Sequence, residues 1–196
     1  MKKITAVVMC SGLSRRMGEN KLFIPFNGKK MYQHTLDTVI KSGFYRVNVV
    51  TSYDEIAKKY QGLYDRVDVI INKNNAEGIS SSIRLGVESS GECDGLMFFT
   101  ADQPYLDIST INALTDAFIK TDKIVIPFYN GIPRNPVIFP ARYKEHLLTL
   151  RGDEGGKRIY RRFLDDSYEV LFEKELPFID IDTRDDLEKL KKQMNI

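Results

Sequence analysis

Short apolar runs alternate with stretches of helical periodicity along the first two thirds of the chain. The first run, Ile4–Met9 (I-T-A-V-V-M), is continuous and rich in branched residues. That is the pattern of a strand covered on both faces, as in a parallel sheet. Leu22–Phe26 reads as a short extended piece, and Asn27-Gly28 as a turn. From Met31 to Ser42, residues Met31, Thr35, Leu36, Val39 and Ile40 recur at helical spacing, and Gly43 ends the segment. The same rhythm then predicts strands at Arg46–Thr51, Val67–Ile71, Gly95–Thr100 and Ile124–Phe128. Helices are predicted between them at Tyr53–Tyr60, Ile79–Ser90 and Ile108–Lys120. A β-α-β-α order implies an α/β fold: a three-layer α/β/α sandwich around a Rossmann-like, mostly parallel sheet. In such sheets ligands sit beyond the carboxyl ends of the strands, where the strand order switches.

After about residue 129 the rhythm changes. Residues 130–136 (N-G-I-P-R-N-P) form a turn-rich link, followed by a short strand, Val137–Phe139. Helices are expected at Tyr143–Leu150 and Lys157–Leu164, with a loop at 151–156 between them. Strands are expected at Tyr168–Phe172 and Phe178–Ile181. A closing amphipathic helix is expected over Thr183–Met194, with Thr183 as N-cap and Asp185 and Asp186 in its first turn. With 196 residues, the chain suits one domain. About 1–128 then forms the core, and about 129–196 an elaboration over one side of the cleft.

Composition narrows the class. Hydrophobic content is 42% and charged content 29%, as in a soluble globular protein. The formal net charge of +2 gives no electrostatic case for a nucleic-acid or membrane partner. No apolar run approaches the roughly 18 residues of a membrane span. The apolar part of M-K-K-I-T-A-V-V-M-C-S is too short for a signal peptide and leads straight towards Arg15-Arg16, so a cytoplasmic location is expected. Cys10 and Cys93 are too few for a disulfide framework and lack metal-site spacing. A monomer is the default expectation.

Chemistry concentrates where strand one ends. Cys10-Ser11-Gly12 are three small residues that allow close approach to the backbone. Ser14, Arg15, Arg16, Gly18 and Lys21 follow. Such a loop can wrap a triphosphate with its N–H groups while Arg16 and Lys21 neutralise charge. Neither G-x-G-x-x-G nor G-x-x-x-x-G-K-[ST] is present, so it is neither a dinucleotide fingerprint nor a Walker loop. Asp102, after the fourth strand and before Pro104, is placed to hold Mg²⁺ against a phosphate; the commoner use of such an Asp is to cap a turn. Ser80, Ser81 and Ser82 open a helix, where hydroxyls and free N–H groups can bind a base, ribose or phosphate. Cys10 is read as a small filler beside the nucleotide, not as a nucleophile. His34 and His146 fall in helical patterns and are read as structural or surface residues.

Cys10–Lys21 resembles the signature loop L-A-[AG]-G-x-S-x-R-[MF]-G-x-x-K of the MobA-like nucleotidyltransferases, with Cys10-Ser11 in place of its small residues. Four further stretches resemble that family in order. They are Asp102-Gln103-Pro104; Gly131–Phe139, with Arg134 where the motif has glycine; Gly152–Lys157; and Asp180-Ile181-Asp182-Thr183 with Asp186-Leu187. Gly78-Ile79-Ser80-Ser81-Ser82 resembles the cytidylyltransferase branch rather than the guanylyltransferase branch. The resemblance implies a nucleoside triphosphate, CTP favoured, as donor and a molybdopterin-type acceptor, with pyrophosphate released. It implies Mg²⁺ held by Asp102 and Asp182, a catalytic set of Arg16, Lys21 and Asp102, and a molybdenum hydroxylase as recipient of the product. The rival readings are the same fold with GTP or with a sugar-phosphate or polyol-phosphate acceptor, and a non-catalytic accessory that handles the cofactor.

Overall fold

The computed structural model describes residues 2–12, 20–181 and 186. An eight-stranded sheet carries helices on both faces. In chain order come β1 (Ile4–Cys10), β2 (Pro25–Phe26), β3 (Lys29–Lys30), α1 (Met31–Lys41), β4 (Arg46–Thr51) and α2 (Asp54–Tyr60). Next are β5 (Val67–Ile71), α3 (Ile79–Glu88), β6 (Gly95–Thr100), α4 (Ile108–Thr121) and β7 (Ile124–Tyr129). Then follow β8 (Ile132–Pro133), β9 (Val137–Pro140), α5 (Lys144–Leu148), α6 (Lys157–Tyr160) and β10 (Ser167–Phe172). The main sheet runs β10-β7-β9-β6-β1-β4-β5, with β8 hanging on β7.

The alternation of side chains along each strand builds the two faces. Ala6, Val8 and Cys10 of β1 and Met97 and Phe99 of β6 face α1, α2 and α4, where Leu36, Ile56 and Phe118 meet them. Val7, Leu96 and Phe98 face the other way, towards Ile83 of α3, Leu147 of α5 and Ile159 of α6. Both faces of the central strands are therefore covered, which is why those strands are continuously apolar. The three-layer sandwich expected from the sequence is the fold observed.

Along this path β9 alone runs against its neighbours, antiparallel to both β6 and β7. Geometry requires it. The crossover through α4 leaves β7 one strand width away from β6. The link from β7 to β9 is too short for a parallel crossover, so the chain doubles back and fills the gap antiparallel. This link is more than a turn: Asn130 and Gly131 take positive φ and close the β7–β8 hairpin.

Three expectations are corrected. Leu22–Phe26 opens with a 3₁₀ turn, Lys21–Phe23, before the extended residues begin. The helix expected at Lys157–Leu164 is a single turn, Lys157–Tyr160. Phe178–Ile181 is not a strand: Leu176–Phe178 is a 3₁₀ turn containing Pro177, which fixes φ and lacks a ladder donor. Phe178 and Ile181 are buried by packing instead, and the Ile181 N–H donates to the Asp102 carbonyl at 3.1 Å. The helix expected at Thr183–Met194 falls outside the described residues but for Asp186, which is helical.

Helix α3 packs closely on β1 at Gly86. A Cβ at Gly86 would lie 2.3 Å from Cγ1 of Val7, a fully buried side chain. Asn48 of β4 donates its amide to the Gly86 carbonyl at 3.2 Å. Gly86→Ala should cost about 1–3 kcal/mol of stability. Adding Val7→Ala should recover part of that loss, so the double variant is less destabilised than the sum of the singles. Urea unfolding of the four proteins measures it, and strict additivity would refute the contact.

Candidate active site

Residues Ile4–Met9 of β1 pair in parallel with Gly95–Thr100 of β6, so the two carboxyl ends open side by side. From β1 the sheet proceeds through β4 and β5 on one side and through β6 on the other. That reversal makes the β1/β6 crevice the switch point of the fold. The loop at the end of β1 is fixed to β4. Ser11 donates its hydroxyl to the Val50 carbonyl at 3.1 Å, and Thr51 donates to the Cys10 carbonyl at 3.2 Å. Tyr53 donates to the Gly12 carbonyl at 2.6 Å, and Asn75 donates to the Ser11 carbonyl at 3.4 Å and the Ser52 hydroxyl at 3.1 Å. Three of the four tethers to the loop thus occupy its carbonyl oxygens, not the N–H donors an anion needs. Ser14, Arg15, Arg16 and Gly18 lie outside the described residues.

Cys10 is fully buried. Burial pushes its thiol well above the ordinary range, and the negative charge of Asp102 adds to the effect. A thiol held protonated is neither nucleophile nor metal ligand.

Lys21 begins the 3₁₀ turn after the loop. The Asn20 side chain caps that turn by accepting from the Leu22 N–H at 3.1 Å. Leu22 is buried, and Phe23 stacks edge-on against Tyr32 and Tyr53. These anchors carry the Lys21 ammonium to 2.5 Å from Oδ2 of Asp102, 81 positions along the chain. The two side chains are 13% and 14% exposed. Oδ1 of Asp102 is buried and has no hydrogen-bond partner among the described residues. A buried acceptor left unmet costs about 1–3 kcal/mol, and a hard cation or its water would satisfy it. Among the described residues no three His, Cys, Asp or Glu side chains cluster. One or two carboxylates completed by water and phosphate oxygens is the donor set Mg²⁺ accepts, so Asp102 fits that ion. Asp182 lies outside the described residues, while Ile181 just before it is tied to the Asp102 carbonyl.

The serine-rich start of α3 forms the opposite wall. Gly78 has φ of +95° and touches the 152–153 loop so closely that a Cβ would sit 2.4 Å from Oδ1 of Asp153. Two segments singled out in the sequence, 78–82 and 152–157, are thus one structural unit. The Ser80 N–H donates to the Gly152 carbonyl at 3.1 Å, so that donor is already used. Buried Asn72, at the end of β5, donates to the hydroxyls of Ser81 and Ser82 at 2.9 and 3.0 Å. Arg84 donates to Ser80 at 3.1 Å and to the Leu150 carbonyl at 2.7 Å. Ser80 and Ser82 act only as acceptors in these bonds, so their hydroxyl hydrogens are not consumed by them.

Between this wall and β9 lies a cavity of about 270 Å³. Met9, Ile79, Ile83, Phe98, Val137, Phe139, Leu147 and Tyr160 give it a largely apolar lining, and Thr100, Arg134, Asn135 and Lys157 supply polar groups. The hydroxyl of Thr100 and Nε of Arg134 are buried without partners among the described residues. Of these residues, sequence reasoning missed Thr100 and Asn135 and underused Arg134 and Lys157. It also passed over Asn72 and Asn75, although the run Asn72-Lys73-Asn74-Asn75 leaves the carboxyl end of a predicted strand, the place such reasoning searches. His34 and His146 lie away from the crevice: His34 Nε2 bonds the Phe26 carbonyl at 2.7 Å, and His146 stacks on Phe163.

Comparison with known proteins decides the family. The model for the MobA-like NTP transferase domain matches residues 6–168, which include Lys21, Asp102 and the α3 wall. The chain belongs to the MobA-like NTP transferase family. It is a nucleotidyltransferase. It is 27% identical to the purine catabolism protein PucB of Bacillus subtilis (strain 168), over 98% of both chains. Identity to the molybdenum cofactor cytidylyltransferase of Escherichia coli (strain K12) is 25%, over 95% of this chain and 94% of that one. A probable molybdenum cofactor guanylyltransferase of Pyrococcus horikoshii is 32% identical over 81% of this chain and 79% of its own. Among solved structures, Rv0371c of Mycobacterium tuberculosis H37Rv in complex with manganese superposes with a TM-score of 0.79 at 22% identity, over 97% and 98% of the two chains. That likeness speaks to the fold. No helix among the described residues is long and apolar enough to cross a membrane.

Burial of Cys10 has a direct readout. In the folded chain at pH 8, iodoacetamide should modify partly buried Cys93 at least about tenfold faster than Cys10. Both should react once the chain is unfolded. Mass spectrometry of the tryptic peptides gives the rates, and comparable labelling of Cys10 in the native protein would contradict the packing described.

Proposed function

We propose that this nucleotidyltransferase moves CMP from CTP to the phosphate of a molybdopterin-type acceptor, with a divalent cation, Mg²⁺ by preference. The cavity carries this reading. It is largely apolar, has Arg134 and Lys157 among its lining residues, and shares its floor with Thr100, two residues before Asp102. Such a cleft suits a flat heterocycle with an anionic tail better than a sugar or polyol, whose hydroxyls would face unmatched apolar side chains. The α3 start, Gly78 to Ser82, supports CTP through its resemblance to the cytidylyltransferase branch. A relative at 25% identity carries the cytidylyltransferase name. The guanylyltransferase name of another relative keeps GTP as the alternative donor.

In the transfer, an oxygen of the acceptor phosphate forms a bond to the α-phosphorus of the nucleotide. The bond from that phosphorus to the bridging oxygen breaks, and pyrophosphate carries away the electron pair. No covalent enzyme intermediate is needed, and the protonated thiol of Cys10 offers none. Lys21 and, by the resemblance, Arg16 neutralise the triphosphate. By the same resemblance, backbone donors come from the signature loop, and catalysis rests on positioning and charge. Asp102, with Asp182 by resemblance, would hold the cation, which supplies charge stabilisation at the phosphates. A molybdenum hydroxylase would receive the product.

Turnover tests the reading. With Mg²⁺ and molybdopterin, CTP should release pyrophosphate, and GTP should do so at least about tenfold more slowly. Release with GTP alone would move the protein to the guanylyltransferase branch. Binding of nucleotide without release from any donor would favour the accessory role. Separately, Asp102→Asn should weaken Mn²⁺ binding on the order of 10- to 100-fold. Electron paramagnetic resonance of free Mn²⁺, in the presence of a non-hydrolysable CTP analogue, measures it, and unchanged affinity would remove Asp102 from the metal site.

A further inference from the structure

We propose that Arg134 is the residue that reads the acceptor, its guanidinium binding an oxygen of a phosphate monoester brought into the cavity; this rests on the transfer reading above. The position is built for that use. The Arg134 backbone N–H donates to the Pro127 carbonyl at 2.8 Å, so the β7–β8 hairpin fixes where the side chain starts. Its guanidinium lies over the Tyr129 ring, 5.8 Å from the centroid, and one terminal nitrogen donates to Glu175 at 3.0 Å. The plane is thereby set, yet Nε is buried and has no acceptor among the described residues. A guanidinium is a fork of fixed donors with no acceptor capacity. Leaving one of those donors dry is costly, and a ligand oxyanion is the group that relieves it.

The surroundings specify the ligand. Arg134 shares the cavity with Lys157, so the local charge favours an anion. Glu175 offsets only part of it, being 48% exposed against 25% for Arg134. The next residue, Asn135, accepts at its carbonyl from the buried amide of Gln103 at 3.5 Å. Gln103 directly follows Asp102, so an anion on Arg134 is linked through the backbone to the carboxylate where transfer takes place. Arg134 can hold one non-reacting phosphate oxygen while another faces the α-phosphorus. In the motif that Gly131–Phe139 resembles, this position is glycine, so Arg134 adds a cation that the motif does not call for.

Steady-state kinetics of the full chain with CTP, Mg²⁺ and molybdopterin test the assignment. Arg134→Gly should raise KM for the acceptor about 10- to 100-fold, the loss of a hydrogen bond to a charged group, and leave KM for CTP within about twofold. Arg134→Lys should recover only part of the loss, because an ammonium lacks the planar fork. Glu175→Gln separates binding from scaffolding. A purely structural Arg134–Glu175 pair would make this variant as poor as Arg134→Gly, whereas an anion reader freed of its competing carboxylate keeps or lowers the acceptor KM. An equal rise in both KM values in Arg134→Gly, or no rise, overturns the proposal. If the wild type turns over no molybdopterin, inorganic phosphate titrated by calorimetry decides the point independently. Binding lost in Arg134→Gly keeps the anion site and discards only the acceptor, while absent or unchanged binding refutes the site.

Discussion

The structure depends on β1 being paired in parallel on both sides and buried on both faces. Its neighbours β4 and β6 run with it in register, so three carboxyl ends finish at one level. Because the strand order reverses at β1, a crevice opens at that end of the sheet. Several buried polar groups define this opening. Ser11, Thr51 and Tyr53 tether the first loop, Thr35 of α1 donates to the Gln103 carbonyl at 3.0 Å, and Ile181 donates to the Asp102 carbonyl. The described ends of the loops at this opening are thus fixed at their roots.

The Lys21–Asp102 pair shows what such an opening demands. Two nearly buried charges are tolerable only if each is compensated, since desolvation can exceed the Coulomb gain. Oδ2 has its ammonium, while Oδ1 lacks a partner among the described residues. A carboxylate tuned purely for stability would have both oxygens met. Thr100 and Arg134 repeat the pattern within the adjoining cavity. Unmet polar atoms that gather around one crevice, on segments otherwise well bonded, mark where a polar ligand completes the structure.

Much of the fold was legible because the strands are buried on both faces and the helices on one. Eight of the strand and helix segments read from periodicity, from β1 to α4, stand within a residue or two of their places: Ile4, Arg46, Val67 and Gly95 open strands, and Met31, Asp54, Ile79 and Ile108 open helices. Errors collect where local pattern and tertiary packing part. Phe178–Ile181 carries a strand-like pattern because both residues are buried, but Pro177 and the tie to Asp102 bury them without a ladder. Lys157–Leu164 has helical composition, yet only one turn forms before the chain moves on to β10.

The sequence alone determined the α/β class and the family signature and singled out Lys21, Asp102 and Ser80–Ser82 as candidates, since these depend on residue type and short spacing. Only the tertiary structure decided which distant residues meet. It placed Lys21 on Asp102, seated the 152–157 loop against Gly78, and turned β9 antiparallel to fill the gap beside β6. It also set Arg134 in the lining of a largely apolar cavity, with its Nε unmet among the described residues. Those facts follow from crossover geometry and from side chains packing across tens of residues. Neither leaves a trace in local periodicity, because contact between separated segments is set by the sheet that joins them.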